Sequence, residues 1–226
     1  MWLGCHLMTP KPHSPGRSIG LAACWVTGAM LAAEPIADLY GGTVLVQLSG
    51  VPGSGKSTLA YEIANTADYV VVNTDVLKSC LLGSGVPMSD AGGASYAVAL
   101  GLSSDLVAQG RSVILDSPCR YRELLDGGES IAEAAGIRYA FIELWAPDVS
   151  VLLTRLDERE PRISQVASAT APVPGTAWEF GTAEATLSEW QEQLLRPDGD
   201  WIRLNATHPR EANLERALEY LEHRRP

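Results

Sequence analysis

Eight consecutive residues, from Gly50 to Ser57, have the types and spacing needed to hold a polyphosphate. They read Gly-Val-Pro-Gly-Ser-Gly-Lys-Ser, which fits the pattern G-x-x-x-x-G-K-S. Glycine backbone can adopt positive φ, so its N–H groups can approach phosphate oxygens closely. We expect Lys56 to reach the β- and γ-phosphates and the Ser57 hydroxyl to bind Mg²⁺. The predicted nucleotide-binding residues are Gly50, Pro52, Gly53, Ser54, Gly55, Lys56, Ser57 and Thr58, the last of which shapes the first helical turn.

The sequence around this motif provides the two elements that a phosphate-binding loop requires. The apolar run from Thr43 to Leu48 predicts a buried strand, and an amphipathic helix is predicted from Ser57 onward. The N-terminus of that helix adds partial positive charge where the phosphates bind. A glycine turn that contains Lys-Ser by chance is the alternative. The flanking elements argue against it, and so does the scarcity of lysine, since Lys56 is one of three in the chain.

Asp75 is the first candidate for a catalytic group. It follows the predicted second strand, Tyr69 to Val72, and begins a helix that is predicted to continue through Leu82. A carboxylate at this position faces the γ-phosphate and can accept the proton of an attacking hydroxyl. The structural alternative is a helix N-cap. Lys78, one turn later on the same face, is a candidate to hold an anionic group of the acceptor, with a solvated surface lysine as the alternative.

Asp116 is a candidate for ordering Mg²⁺. It ends the strand-like run over 112–115, as the acid of a Walker B strand does; the alternative is the start of a turn. The next residue is Ser117 rather than the Glu that ATP-hydrolysing motors use to activate water. This favours transfer to a substrate hydroxyl over hydrolysis. Arg120 and the region from Gly83 to Ala97 are predicted to line the acceptor site.

Three arginines, Arg155, Arg159 and Arg162, follow the fourth predicted strand. Spacings of four and three place at least the first two on one helical face, and Pro161 is expected to loosen the segment into a lid followed by a flexible stretch over 164–175. Arginines on a lid can offset charge that develops on the transferred phosphoryl group. Arg155 and Arg159 are ranked ahead of Arg162. The alternative is i,i+4 pairing with nearby carboxylates on a solvated helix.

Strand-like and helix-like runs alternate from Thr43 onward, which predicts an α/β fold with a doubly wound, parallel five-stranded sheet flanked by helices. Further helices are predicted over 94–109, 148–158 and 209–224, and further strands over 137–145 and 201–204. Ligands of such sheets bind at the carboxyl ends of the strands. We therefore expect Gly50, the segment from Asn73 to Asp75, Asp116 and the residues after Trp145 to converge.

Composition narrows the class of protein. With 226 residues, 46% of them hydrophobic, the chain can bury the core of one α/β domain, predicted over 42–226. The net charge of −10 argues against a broad nucleic-acid surface, although a local basic pocket is compatible with it. The four cysteines have no metal-ligand spacing, which is typical of reduced thiols in a cytoplasmic protein.

Residues 1–41 differ from the rest and are predicted to be a partly disordered extension. The apolar stretch over 19–33 resembles a secretory signal. Secretion is disfavoured because an ATP-dependent protein requires cytosolic nucleotide. The stretch is also too short to span a bilayer, so no membrane association is expected. A functional start at Met30 is an alternative.

Together, these features resemble the small P-loop kinases. Within that class the pattern is most similar to the AAA-type ATP-binding group, which contains polynucleotide 5′-hydroxyl kinases, chloramphenicol phosphotransferase and zeta-toxin-like kinases. The resemblance covers about Thr43 to Leu221 and is most specific at the P-loop. It implies ATP and Mg²⁺ as cofactors, Asp75 as the general base and the three arginines as those of the lid. It also implies that the segment 205–208, which begins with Asn205, borders the adenine ring.

The sequence therefore predicts an ATP- and Mg²⁺-dependent kinase that transfers the γ-phosphoryl group to a hydroxyl of a small molecule. The acceptor and the oligomeric state are left open by the pattern. One alternative is a polynucleotide 5′-hydroxyl kinase; the acidic charge disfavours a nucleic-acid partner without excluding it, and Lys78 stands where those kinases usually carry Arg. The other is a regulatory ATP-binding protein or ATPase that forms no phosphorylated product.

Overall fold

Five parallel strands form one sheet in the computed structural model, which describes residues 42–160, 162–165 and 183–222. The strands are β1 (Val44–Ser49), β2 (Tyr69–Asn73), β3 (Ser112–Asp116), β4 (Arg138–Trp145) and β5 (Ile202–Asn205). Their order across the sheet is β2-β3-β1-β4-β5, and every neighbouring pair is parallel. The predicted five-stranded α/β fold is confirmed. The extension predicted over 1–41 lies outside the described residues.

Helices cover both faces of this sheet. They are α1 (Lys56–Thr66), α2 (Thr74–Gly83), α3 (Met88–Ala108), α4 (Arg122–Ala135), α5 (Ser150–Glu158), α6 (Ala183–Glu192) and α7 (Arg210–Glu222). None of these helices combines the length and the apolar character that crossing a membrane requires.

The central strand β1 supplies two apolar cores, because alternate side chains of a strand point to opposite faces. Val46 and Leu48 pack in a cluster with Leu59 of α1. Leu45 packs on the other face in a cluster with Leu124 of α4. All six residues of β1 are buried, as expected for a parallel sheet covered on both sides. The loop that follows β1 is therefore fixed on a rigid base.

Three helical segments differ from the sequence prediction. Helix α3 begins at Met88, six residues before the predicted start at residue 94, and its early turns contain Gly92 and Gly93, which weaken a helical signal. No element was predicted where α4 and α6 lie. Helix α4 contains Gly127 and Gly128. An added Cβ at Gly127 would lie 2.6 Å from Leu100 Cδ1, and one at Gly128 would overlap Gln47. These glycines serve helix packing, which the local sequence does not reveal.

We expect Gly128→Ala to lower the free energy of unfolding by about 1 to 3 kcal/mol, the usual cost of overpacking. The new Cβ would overlap Oε1 of the buried Gln47. That amide cannot move freely, because Oε1 accepts from the Tyr139 hydroxyl (2.8 Å) and Nε2 donates to the Leu124 carbonyl (3.3 Å). Urea denaturation measures the change. In the control Gly92→Ala the Cβ meets nothing within 4 Å, so a gain of about 0.5 to 1 kcal/mol is expected; similar changes in both variants would contradict this account.

Candidate active site

The carboxyl ends of the strands open onto a cleft of about 920 Å³. It is lined by the loop after β1, the first turns of α1 and α2, the chain after β3, helix α5 and the β5–α7 loop. The predicted site residues among its lining are Pro52, Gly53, Ser54, Gly55, Lys56, Ser57, Thr58, Asp75, Lys78, Asp116, Arg120, Arg155 and Arg159. The structure thus brings together residues from several elements at one edge of the sheet.

The loop after β1 requires its glycines for both conformation and space. Gly50, Gly53 and Gly55 all have positive φ, at 147°, 82° and 92°. A Cβ at Gly50 would lie 2.7 Å from the Leu144 carbonyl oxygen, and one at Gly53 would lie 2.7 Å from that of Leu152. Gly55 is the N-cap of α1 and has no side chain with which to cap it. The first N–H groups of α1 are therefore available to phosphate oxygens.

Lys56 lies at the base of this loop, where its Nζ donates to the Val51 carbonyl oxygen at 3.2 Å. Burial lowers the pKa of Lys56, and the carboxylates of Asp116 and Asp75 oppose that shift. Lys56 lines the same cleft as both candidate carboxylates.

Asn73, the last residue of β2, connects three of the predicted site residues. Its Nδ2 donates to Asp116 Oδ2 (2.6 Å) and to Ser57 Oγ (3.3 Å). Its Oδ1 accepts from the N–H groups of Asp75 (2.9 Å) and Val76 (3.0 Å), which makes Asn73 the N-cap of α2. The sequence placed Asn73 among the residues that converge at this edge of the sheet but assigned it no chemical role. The sequence did contain a signal for the capping role, because Asn is a common N-cap residue and here stands directly before a helix that begins Thr-Asp.

Ser57 and Asp116 fit a magnesium ion by the chemistry of their atoms. Their side-chain oxygens accept from the same donor, Asn73 Nδ2, so they face one small space. Oxygen ligands suit Mg²⁺, which typically takes one or two protein ligands and keeps several waters. Burial raises the pKa of Asp116, while Lys56 and a hydrogen bond with Ser57 oppose that rise. A second cation here would stabilise the ionised carboxylate further.

We expect Asn73→Ala to lower the free energy of unfolding by about 2 to 4 kcal/mol. Loss of the N-cap costs about 1 kcal/mol, and loss of the amide donor to the buried Asp116 carboxylate costs about 1 to 3 kcal/mol more. Urea denaturation measures the sum. The variant Asn73→Ser separates the two terms, because serine can cap α2 but is too short to reach Asp116. If Asn73→Ser were as stable as the unmodified protein, the contact with Asp116 would contribute nothing.

Asp75 is held on the cleft side of α2. Because Asn73 occupies the N-cap position, the alternative that Asp75 caps the helix is wrong. Its Oδ2 instead accepts from Gln165 Nε2 at 2.7 Å, and Gln165 Oε1 in turn accepts from the Arg162 N–H at 3.2 Å. The Ser164 hydroxyl donates to the Asp75 carbonyl oxygen at 2.9 Å. The short segment 162–165 therefore orients this carboxylate, a contact that the sequence did not indicate.

The predicted lid arginines occupy different places. Arg155 Nη1 donates to the Ala206 carbonyl oxygen at 2.8 Å, so Arg155 lies toward the β5–α7 loop. Arg159 is half-buried; burial lowers its pKa and Asp75 opposes the shift. Arg162 is exposed and is not among the residues that line the cleft. The predicted break at residue 161 and most of the predicted flexible stretch lie outside the described residues.

Arg120 lines the cleft beside helix α6. Its Cζ is 4.3 Å from the ring centroid of Trp190, and its Nη2 is 3.4 Å from Gln193 Oε1. Tyr96 and Tyr121 line the same cleft with ring centroids 5.6 Å apart, and burial raises the pKa of Tyr96 to about 12. Lys78 is also part of the lining.

The β5–α7 loop and the start of α7 line another part of the cleft. The Asn205 side chain turns back onto this loop, where Oδ1 accepts from the Thr207 N–H (2.9 Å) and hydroxyl (2.8 Å). Asn205 is not among the lining residues, so its predicted place beside adenine stays a prediction. The residues that line this part are Ala206, His208, Arg210 and Asn213. The resemblance singled out the segment 205–208, which contains the first two, whereas no motif or spacing marked Arg210 and Asn213.

A family model described as an AAA domain matches residues 45–173, which is more than half of the chain. This chain belongs to the AAA domain family. The resemblance to the AAA-type ATP-binding group is thereby confirmed. No curated protein matches the sequence.

Solved structures share the fold at low identity. A gluconokinase from Sinorhizobium meliloti 1021 is 22% identical with a TM-score of 0.53, covering 81% of this chain and 93% of that one. A sugar kinase from Janibacter sp. HTCC2649 is 22% identical with a TM-score of 0.56, covering 79% and 94%. The Mycobacterium tuberculosis APS kinase in complex with AMPPNP and APS is 18% identical with a TM-score of 0.55, covering 80% and 99%. These similarities establish a P-loop fold.

Proposed function

We propose that this protein is an ATP- and Mg²⁺-dependent kinase that transfers the γ-phosphoryl group to a hydroxyl of a small molecule. The observation that carries this proposal is the position of Asp75. Its carboxylate is not used to cap α2, lines the cleft, and lies close enough to Lys56 to affect the pKa of that ammonium group. A carboxylate in this position suits proton removal from a hydroxyl that attacks a bound phosphate.

In the proposed reaction, the acceptor oxygen forms a bond to the γ-phosphorus, the bond to the β–γ bridging oxygen breaks, and ADP leaves. Asp75 takes the proton of the hydroxyl. Lys56 and the loop N–H groups hold the phosphates, while Arg155 and Arg159 offset charge on the transferred group. Ser57 and Asp116 would hold Mg²⁺, which when bound neutralises charge on the phosphates.

The names of the structural neighbours support this class of reaction. They are a gluconokinase, a sugar kinase and an APS kinase, the last solved with AMPPNP and APS. These neighbours support the proposal that this chain is a nucleotide-dependent kinase with a small acceptor.

Incubation with γ-labelled ATP, Mg²⁺ and pooled acceptors tests the proposal. The pools contain hydroxyl-bearing metabolites, antibiotics and 5′-hydroxyl oligonucleotides, and mass spectrometry detects the gain of one phosphate. We expect a small-molecule product. Phosphorylation of the oligonucleotides alone, with salt-sensitive binding, would replace the proposal with the polynucleotide kinase alternative. ATP turnover with no phosphorylated product from any pool would favour the regulatory alternative.

A further inference from the structure

One aromatic ring packs on a cationic side chain in the cleft, and two more aromatic rings line the same cleft. The Arg120 guanidinium is half-buried and stacks on Trp190. Tyr96 and Tyr121 line the same cleft and act on the pKa of Arg120, which burial lowers. Partial burial lowers the effective dielectric around Arg120, which strengthens its interaction with an opposite charge.

The hydrogen-bonding capacity of Arg120 is largely unused within the described part of the chain. Nε is buried and has no acceptor there. Nη2 makes one long bond to Gln193, and none of the described carboxylates lies within the 4.0 Å of an ion pair. The Glu189 carboxylate acts on the Arg120 pKa only from a greater distance. A buried donor without an acceptor, as Nε is here, is costly for a protein to keep.

The residue directly before Arg120 has an uncommon backbone conformation. Cys119 has a φ of 47°, and it is the one non-glycine residue with positive φ in the described ranges. This conformation is fixed, because the Cys119 carbonyl oxygen accepts from the Leu195 N–H (3.1 Å) and its Sγ accepts from Gln47 Nε2 (3.2 Å). Strained backbone of this kind is concentrated at ligand sites. Here it determines the direction in which Arg120 leaves the chain after β3.

We propose that Arg120 binds an anionic group of the acceptor, so that the substrate is a hydroxy acid or a phosphate ester rather than a neutral alcohol. This inference rests on the proposed kinase function. The planar guanidinium can bind two oxygens of a carboxylate or phosphate at once, which supplies the acceptors that the described chain does not. Lys78 adds a second positive charge on the cleft wall. The acceptor hydroxyl faces Asp75, and the anionic group faces Arg120.

A role for Arg120 in packing alone would not explain why a charged side chain stands at this position. Stacking on Trp190 would hold α6 in place, but an apolar side chain could pack there without burying a charge. By contrast, a site built around a charged group discriminates strongly, because a substrate without the partner group leaves that charge unpaired. We expect the anionic member of a matched set of acceptors to be preferred by about 100-fold or more in kcat/KM.

Two matched sets of acceptors test this inference on the full-length protein with ATP and Mg²⁺. One set is glycerol, glycerate and glycerol 3-phosphate, and the other is glucose, glucuronate and glucose 6-phosphate. The comparison within each set also separates carboxylate from phosphate recognition. Arg120→Gln is expected to raise the KM of the anionic acceptor at least about tenfold, since it removes a charged partner, without changing the KM for ATP. Arg120→Lys keeps the charge and should recover part of the loss. Arg122→Gln is the control, because Arg122 is exposed and lies outside the cleft lining.

Preference for the neutral member of each set, or an unchanged KM in Arg120→Gln, would overturn the inference and leave the kinase proposal intact. Isothermal titration of the same compounds into protein with Mg²⁺ and ADP provides a readout that does not depend on turnover. Binding of the anionic compounds that Arg120→Gln abolishes and Arg122→Gln retains would support the inference, even if no phosphate were transferred. Binding of no anionic compound would overturn it. Unchanged urea denaturation of Arg120→Gln shows that its fold is retained; if that variant is unfolded, the neutral variant Arg120→Met takes its place in both measurements.

Discussion

Replacing Asp75 with Asn lowers the rate of phosphoryl transfer by about 10²- to 10⁴-fold, the usual contribution of a general base. Asn has the same shape but cannot accept a proton from the acceptor hydroxyl. Its side-chain oxygen can still accept from Gln165 Nε2, as the Asp75 carboxylate does, so the position of the side chain is retained. ATP binding should be nearly unchanged. Single-turnover kinetics measure the rate, and a fluorescent ATP analogue measures binding.

A second aspartate offers a matched control for Asp75→Asn. Asp105 of α3 also accepts from a glutamine amide, Gln109 Nε2 at 2.6 Å, but it is exposed and far along the helix from the cleft. Asp105→Asn should retain the full rate of transfer. Equal rates for Asp75→Asn and Asp105→Asn would show that Asp75 is not the base.

Replacing Lys56 with Gln lowers kcat/KM for ATP by about 10²- to 10³-fold, as loss of one preorganised donor to a charged transition state does. The effect should be large because Lys56 is held at the base of the loop by the Val51 carbonyl oxygen and lines the same cleft as both candidate carboxylates. Gln retains a donor but has no charge to offset that of the phosphates.

Steady-state kinetics with varied ATP measure the Lys56→Gln effect. Arg111→Gln is the control, since Arg111 pairs at the surface with Asp68 (2.8 Å) and lies at the start of β3, away from the cleft. A Lys56→Gln variant with unchanged kcat/KM would remove the loop lysine from the proposed reaction.

The sequence predicts those parts of the site that depend on local pattern. The glycine positions of the loop follow from a contiguous motif, and all three have the positive φ that the motif demands. Asp75 and Asp116 could be placed because each follows a strand-like run, and parallel strands end at one edge of a sheet.

The parts that the sequence did not reveal depend on contacts between distant segments. Asn73 acts on Asp116 because the register of β2 and β3 sets the two residues opposite each other. Gly128 has no room for a side chain because Gln47, which lies far earlier in the sequence, packs against it. Gln165 reaches Asp75 only through the path of the chain after α5. Register, close packing and loop path are tertiary properties, so no local spacing rule encodes them.

The most direct test of the kinase account uses ATP with a heavy-oxygen label in its γ-phosphoryl group. The unmodified protein and Asp75→Asn are incubated side by side with Mg²⁺ and the pooled acceptors, and mass spectrometry follows the label. The account predicts labelled phosphate on a small-molecule hydroxyl with the unmodified protein and almost none with Asp75→Asn. Label that appears only in inorganic phosphate, at the same rate in both proteins, would contradict it.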